Sequence, residues 1–266
     1  MIRAIERILL KSKKRIFNEN FGANLSKVKG EGYDFAELSP YVLGEDARKI
    51  DWKSTAKTGE PHVKIFFEER EVNVVLCAMM SGSLLFRDKK ACLLEVCSLL
   101  GFSALKMSNK LTPVMISDDE TLFLQPSKKL QSIEHFIYKL DAVELYKKNV
   151  DLQNLNLKIK QRSFVILVGD FLGDIDVSLL ASRHELFVVI VRERFEENPD
   201  ILGDGEFTDP DSGESSEFYF GKSARDAYAK KYRENDQKLY KHLGALGVSY
   251  VKIVTDEDAF VKLSNV

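Results

Sequence analysis

From Val72 onward the chain alternates apolar, strand-length runs with amphipathic, helix-length segments, and this alternation constrains the fold more than any other feature. The stretch VVLCAMMSGSLLF, Val74–Phe86, reads as a buried strand that ends in a small polar loop. The run Val72–Ala78 has the apolar character that a central parallel strand needs, because both of its faces are covered. Lys89–Met107 follows as a helix, with Leu93, Val96, Leu100 and Leu105 among its apolar positions. Thr112–Ile116 and Thr121–Leu124 read as strands that can form a hairpin, and Ser127–Leu140 and Leu152–Ile159 read as helices. Phe164–Val168 is a second buried strand, ending at Gly169 and Asp170. Ile175–Ser182 reads as a helix and Leu186–Val191 as a strand. Ser223 is placed to cap a long helix reaching about Leu246, and Val248–Val254 and Asp256–Leu263 close the chain as strand and helix. The expected fold class is α/β: a doubly wound, mostly parallel sheet with helices on both faces.

The first seventy residues differ in character, so two domains are expected: an amino-terminal helix and β-rich segment over 1–70, and the α/β domain over 71–266. In MIRAIERILLKSKKRIF, the residues Ile5, Ile8, Leu9 and Ile16 share one helical face, and Arg3, Arg7, Lys11, Lys14 and Arg15 supply a basic opposite face. This predicts a helix packed on its own domain with a solvated basic side, in preference to a membrane-surface helix. Charges interrupt the segment every few residues and no small-residue cleavage site follows, so it is not read as a signal peptide. No apolar run approaches the roughly 20 residues that a bilayer requires, so no integral membrane segment is expected.

The 39 basic and 41 acidic residues leave a net charge of -2, which gives no electrostatic case for nucleic acid. Cys77, Cys92 and Cys97 form an odd set without a Cys-x-x-Cys pair. That argues against a disulfide framework or a zinc ribbon and suits a reducing, cytoplasmic location. His62, His135, His184 and His242 lie far apart in sequence, and no His-Glu-x-x-His occurs. Ser81-Gly82-Ser83 lacks the flanking glycines of a nucleophile elbow. Gly221-Lys222-Ser223 precedes a helix, but Ser216 stands where a phosphate loop needs its first glycine, and Phe218, Tyr219 and Phe220 fill the loop. The acidic, turn-rich segment Glu193–Gly221 is long enough to be functional or to contain small local structure. Its Asp209-Pro-Asp211-Ser-Gly213 is a poor calcium loop, with the glycine one place early and the distal Glu missing. Lys64, Glu68 and nearby acids could mimic a metal nuclease, but solvated or paired charges are the better reading. No nucleophile, base and oxyanion hole assemble, so no catalytic residue, and hence no enzyme, is expected.

Three segments together resemble one family. They are SKVKGEGYDFAELSPYVLGEDARKIDWKSTAKTGEPHVKIFFEERE (Ser26–Glu71), the strand and loop Val72–Ser83, and the stretch from SFVILVGDF through DPDSGE to the last helix. The chain resembles the bacterial domain-of-unknown-function family numbered fifty-eight, whose core is similar to the von Willebrand factor A domain. The segment around Gly44, Asp46, Arg48, Asp51 and Trp52 carries much of the likeness, with Glu45 where the family usually has Asp.

The resemblance implies a sheet of about six strands with a metal-ion-dependent adhesion site at the strand carboxyl ends. That site takes Asp-x-Ser-x-Ser, a Thr on a second loop and an Asp on a third. Ser81, Ser83 and Asp170 match; Met79 stands in the first Asp position, and no threonine lies between Thr121 and Thr208. Met79 is a poor magnesium ligand, because hard cations take oxygen. The site is therefore read as degenerate, with no cofactor expected; a substitute acid, Asp118 or Asp151, that restores magnesium binding is the alternative.

Family members are often found beside MoxR-type AAA+ ATPases, which implies a non-enzymatic adaptor or assembly factor for such an ATPase and its clients. Met79, Met80, Ser81, Gly82, Ser83 and Asp170 are the expected partner-binding residues, joined by Asn149 and Asp118 on neighbouring loops. Gly44, Asp46, Arg48, Asp51, Trp52, Lys64 and Glu68 are expected to be structural. Arg48 would pair with Glu68 or Glu69, and Trp52 would bury its indole.

Overall fold

The computed structural model describes residues 4–18, 29–30, 34–42, 46–67, 72–117, 120–145, 152–173, 175–197, 199, 203–208 and 215–265. The chain divides into two compact units, residues 22–71 and residues 1–21 together with 72–266.

In the smaller unit, β1 (Lys29–Gly30), β2 (Asp34–Pro40) and β3 (His62–Phe67) form an antiparallel sheet in the order β1-β3-β2. Between β2 and β3 lie a short 3-10 turn, Ala47–Lys49, and the helix α2 (Trp52–Thr58). Each begins on an aspartate. Asp46 accepts from the Arg48 N–H, and Asp51 accepts from the Lys53 N–H and, at 2.7 Å, from the Ser54 hydroxyl. These carboxylates satisfy donors that a helix start leaves unpaired. Gly59 ends α2 in the left-handed region at φ 79°, which a residue without Cβ adopts without strain.

The larger unit is built on six strands. They are β4 (Asn73–Met80), β5 (Lys110–Ser117), β6 (Glu120–Phe123), β7 (Phe164–Gly169), β8 (Glu185–Arg192) and β11 (Ser249–Val254), in the order β11-β8-β7-β4-β5-β6. Every pairing is parallel except the β5–β6 hairpin. The chain runs from β4 outward to β5 and then returns to the other side of β4 as β7. The carboxyl ends of β4 and β7 therefore flank the point where the winding reverses, the usual ligand position in open α/β sheets. Helices cover both faces. Val74, Leu76, Ala78 and Met80 share one core with α1 (Ala4–Asn18), α3 (Lys89–Lys106), α4 (Leu130–Ala142) and α9 (Ala259–Ser264). Val75, Cys77 and Met79 point the other way, into a core with α5 (Gln153–Lys158), α6 (Ser178–Arg183) and α8 (Lys222–Ala245).

Two expectations are corrected here. The division at 70/71 placed the first helix with the β-rich segment, but α1 groups with the large sheet unit. Its apolar face explains why: Ile5, Leu9 and Ile16 are buried in the α3–α4 core, and each such side chain contributes on the order of 1.5–3 kcal/mol. Lys106 Nζ donates to the Ile16 carbonyl at 2.6 Å, satisfying an acceptor of the last turn of α1. Ser223 does not cap α8; Gly221 holds that position without a side-chain bond, and Ser223 lies inside the first turn. The acidic segment carries local structure of its own, a single turn α7 (Arg194–Glu197) and an antiparallel hairpin of β9 (Gly203–Thr208) and β10 (Ser215–Phe220). Asp209, Asp211 and Gly213 lie outside the described residues.

Candidate functional site

Ser81 follows β4 directly, and the tight turn Gly82–Leu85 folds the next residues back, with the Leu84 N–H on the Ser81 carbonyl at 3.1 Å. This brings the two serine hydroxyls within 2.8 Å of each other. Asp170, one residue past β7, meets them: Ser81 Oγ donates to Asp170 Oδ2 at 3.2 Å, and Ser83 Oγ donates to the same oxygen. The sequence reading of Ser81, Ser83 and Asp170 as one cluster is thus realised in space.

What fills the cluster is a lysine. Lys89, the first residue of α3, has no solvent exposure, and its Nζ lies 3.1 Å from Asp170 Oδ2 and 2.7 Å from Glu196 Oε1. Glu196 is held in turn, with Oε2 accepting from the Glu193 N–H at 2.8 Å and Oε1 facing the Tyr232 hydroxyl at 3.4 Å. Behind this pair a second buried cation, Arg192, donates to the Asp170 carbonyl and, at 2.6 Å, to Asp236 Oδ1. Burial by itself would raise the Asp170 carboxyl, but the Lys89 ammonium, the Ser83 hydroxyl and Arg192 outweigh it and hold the group below the ordinary carboxylate range. Arg192 likewise stays charged, its burial outweighed by Asp236, Glu196 and Asp170. Two residues on the cluster's loops, Arg87 and Phe171, adopt left-handed backbone at φ 48° and 50°. Non-glycine residues there cost about 1 kcal/mol or more, so the surrounding contacts enforce this geometry.

The expected partner-binding set separates. Met79 and Met80 are both 1% exposed, so neither offers a surface, and Gly82 and Asp170 are buried too. The reason is the two-sided covering of β4: successive side chains enter opposite cores. Ser81 and Ser83 remain half-buried, and Leu85 in the same turn is 56% exposed.

A divalent metal does not fit the residues present. The Met79 side chain packs against Gly169 in the core, and the Asp170 charge is already neutralised by Lys89. Among the described residues no group of three or more His, Cys, Asp or Glu side chains could hold a metal ion. Asp118, Asn149 and Asp151 lie outside the described residues. The cysteines are free and buried; burial pushes the Cys92 thiol up to about 12 and raises the Cys77 and Cys97 thiols as well, which leaves them unreactive.

In the smaller unit, Arg48 pairs with Asp46, with Nη2 at 2.8 Å from Oδ2 and the guanidinium facing solvent; the expected partners Glu68 and Glu69 lie outside the described residues. Trp52 is 70% exposed rather than buried. The aspartates Asp46 and Asp51 do the structural work at this motif, as starts of the turn and of α2. Gly44, Glu68 and the Lys64 side chain lie outside the described residues.

Lys89, Glu196, Arg192, Asp236 and Tyr232 escaped the sequence reading. One signal pointed to Lys89: at helical spacing it lies in line with Leu93, Val96 and Leu100, all on the buried face of α3.

The fold and this ion network define a doubly wound α/β domain whose switch point is closed by internal salt bridges. The chain belongs to the family described as Protein of unknown function DUF58, whose family model matches residues 37–238. An uncharacterized protein of Mycobacterium tuberculosis and one of Mycobacterium bovis are each 25% identical to it over 271 residues, covering 96% of this chain and 85% of theirs. Solved structures similar to it include an aerotolerance-related membrane protein of Bacteroides fragilis, at TM-score 0.43 and 11% identity over 73% of this chain and 96% of that one. Another is a von Willebrand factor type A protein of Catenulispora acidiphila, at TM-score 0.41 and 11% identity over 76% and 41%. Among the described residues no helix is long and apolar enough to cross a membrane.

Proposed function

We propose that the chain is a non-enzymatic protein-interaction module, an adaptor or assembly factor for a MoxR-type AAA+ ATPase, that docks through the loops at the carboxyl ends of β4 and β7 without a metal ion. One observation supports this most: the switch-point cluster is consolidated by internal ion pairs, with Lys89 between Asp170 and Glu196. A site used for chemistry needs a free base or nucleophile. A carboxylate kept ionised by an adjacent ammonium is a weak base, and the serine hydroxyls already donate to it. The surface such a cluster offers is shape and hydrogen bonding around Ser81, Ser83 and the exposed Leu85. Apolar side chains on a stiff turn suit docking better than catalysis.

Affinity of the purified chain for a purified MoxR-type AAA+ ATPase tests the reading. Leu85→Glu is expected to weaken binding by tenfold or more, with an unchanged circular dichroism spectrum, and excess EDTA is expected to leave wild-type affinity unaltered. Unchanged affinity in Leu85→Glu would move the interface elsewhere, and loss of binding in EDTA would favour a metal-dependent contact.

A further inference from the structure

Among the described residues Lys89 is the only lysine enclosed in the interior, and it sits where four oxygen-bearing side chains gather. The Ser81 and Ser83 hydroxyls and the Lys89 ammonium all donate to Asp170 Oδ2, and Glu196 reaches the same ammonium from α7. An all-oxygen set of this kind, with two carboxylates and two hydroxyls, has the chemistry of a hard divalent cation site. We infer that Lys89 is the built-in cation of this site: its ammonium supplies the positive charge around which Ser81, Ser83, Asp170 and Glu196 are arranged, so the protein needs no metal there and its side chain masks a latent metal site.

Three features support the assignment. The Asp170 and Glu196 side chains are 4% and 2% exposed, and two carboxylates brought together out of water need a cation between them. An ammonium has three protons to donate and no acceptor capacity, and here two acceptors lie within hydrogen-bond distance of Nζ. Lys89 also opens α3, where the helix dipole disfavours positive charge, so local preference does not explain a lysine at that position. What explains it is the pair of acids that the fold brings to it from β7 and α7. The inference does not depend on which partner the domain docks.

The experiment compares the 266-residue chain as wild type, Asp170→Asn, Lys89→Ala and Lys89→Ala/Asp170→Asn, in EDTA and in millimolar manganese(II) chloride. Thermal unfolding is followed, and bound manganese is counted by electron paramagnetic resonance. Wild type is expected to bind no manganese and to melt at the same temperature in both buffers. Lys89→Ala should melt lower in EDTA, because two acids then share a site without a counter-charge. Manganese should raise its melting temperature by several degrees, as a ligand that binds only the folded state does. The double variant should not respond to manganese. If Lys89→Ala does not fold in EDTA, the same comparison is read as recovery of near-ultraviolet dichroism on refolding, expected with manganese and absent without it. Manganese binding by wild type that disappears in Asp170→Asn would overturn the inference. So would a Lys89→Ala protein indifferent to manganese in both melting and refolding.

Discussion

Gly169, the last residue of β7, has no room for a side chain. A Cβ there would lie 2.9 Å from Met79 Cβ and 3.1 Å from Met79 Cε, and Met79 is itself enclosed on the far side by the α5–α8 core. Gly169→Ala is expected to lower stability by about 1–3 kcal/mol, the range for overpacking a tight core. Urea denaturation measures it, and Met79→Ala in the same background should recover part of the loss, since residues in contact are coupled. Strictly additive losses would show that this contact is not the limiting one. The same pair of positions shows what could be read in advance. Ser81, Ser83 and Asp170 stood out because each follows a run of buried strand residues, so their meeting follows from strand order. The burial of Met80 beside Met79 was less visible, because exposure at a strand end depends on how far the covering helices reach. Lys89, Glu196, Arg192 and Asp236 were not legible as a group: four separate elements deliver them, α3, α7, β8 and α8, and no local spacing encodes that convergence.

At the scale of elements, the alternation of strand and helix was readable in the larger unit outside residues 193–221, because each segment carries its own pattern. The exchange of α1 from one unit to the other was not, since an apolar stripe records that a face is buried and not which surface buries it. The α2 segment shows the opposite limit. Asp51, Ser54 and Gly59 mark its start and end by local chemistry, yet Trp52 on its first turn faces water at 70% exposure. Since Trp52 is the only tryptophan, its fluorescence reports this helix alone. The emission is expected at the long wavelength of a hydrated indole and should be quenched freely by acrylamide. A blue-shifted emission shielded from quencher would contradict the exposed placement.

For the whole molecule, acid stability draws on lowered carboxyls, among them two aspartates. Asp258 caps α9 and receives the Arg15 guanidinium from α1; the bond from Arg15, against a smaller opposing effect of burial, lowers its carboxyl to about 2. Asp170 is lowered as well, for the reasons given above. A carboxyl whose folded-state pKa is depressed adds stability that is fully present above its unfolded pKa of about 3.9 and is lost as pH falls through the folded value. The contribution of these two aspartates is therefore expected to be constant near neutrality and to drop between about pH 4 and pH 2, and Asp258→Asn should flatten part of that drop in urea midpoints taken across the range. A variant profile parallel to wild type would mean that Asp258 contributes nothing. The placement of α1 also has a consequence for biosynthesis. The helix is made before its docking surface on α3, which includes Lys106, some 90 residues later. At a translation rate of about 5–20 residues per second, an amphipathic, basic segment stays unpartnered on the nascent chain for roughly 5–20 seconds. During that interval its apolar stripe is open to whatever waits at the ribosome exit, and its release from that contact has to precede closure of the sheet's outer layer.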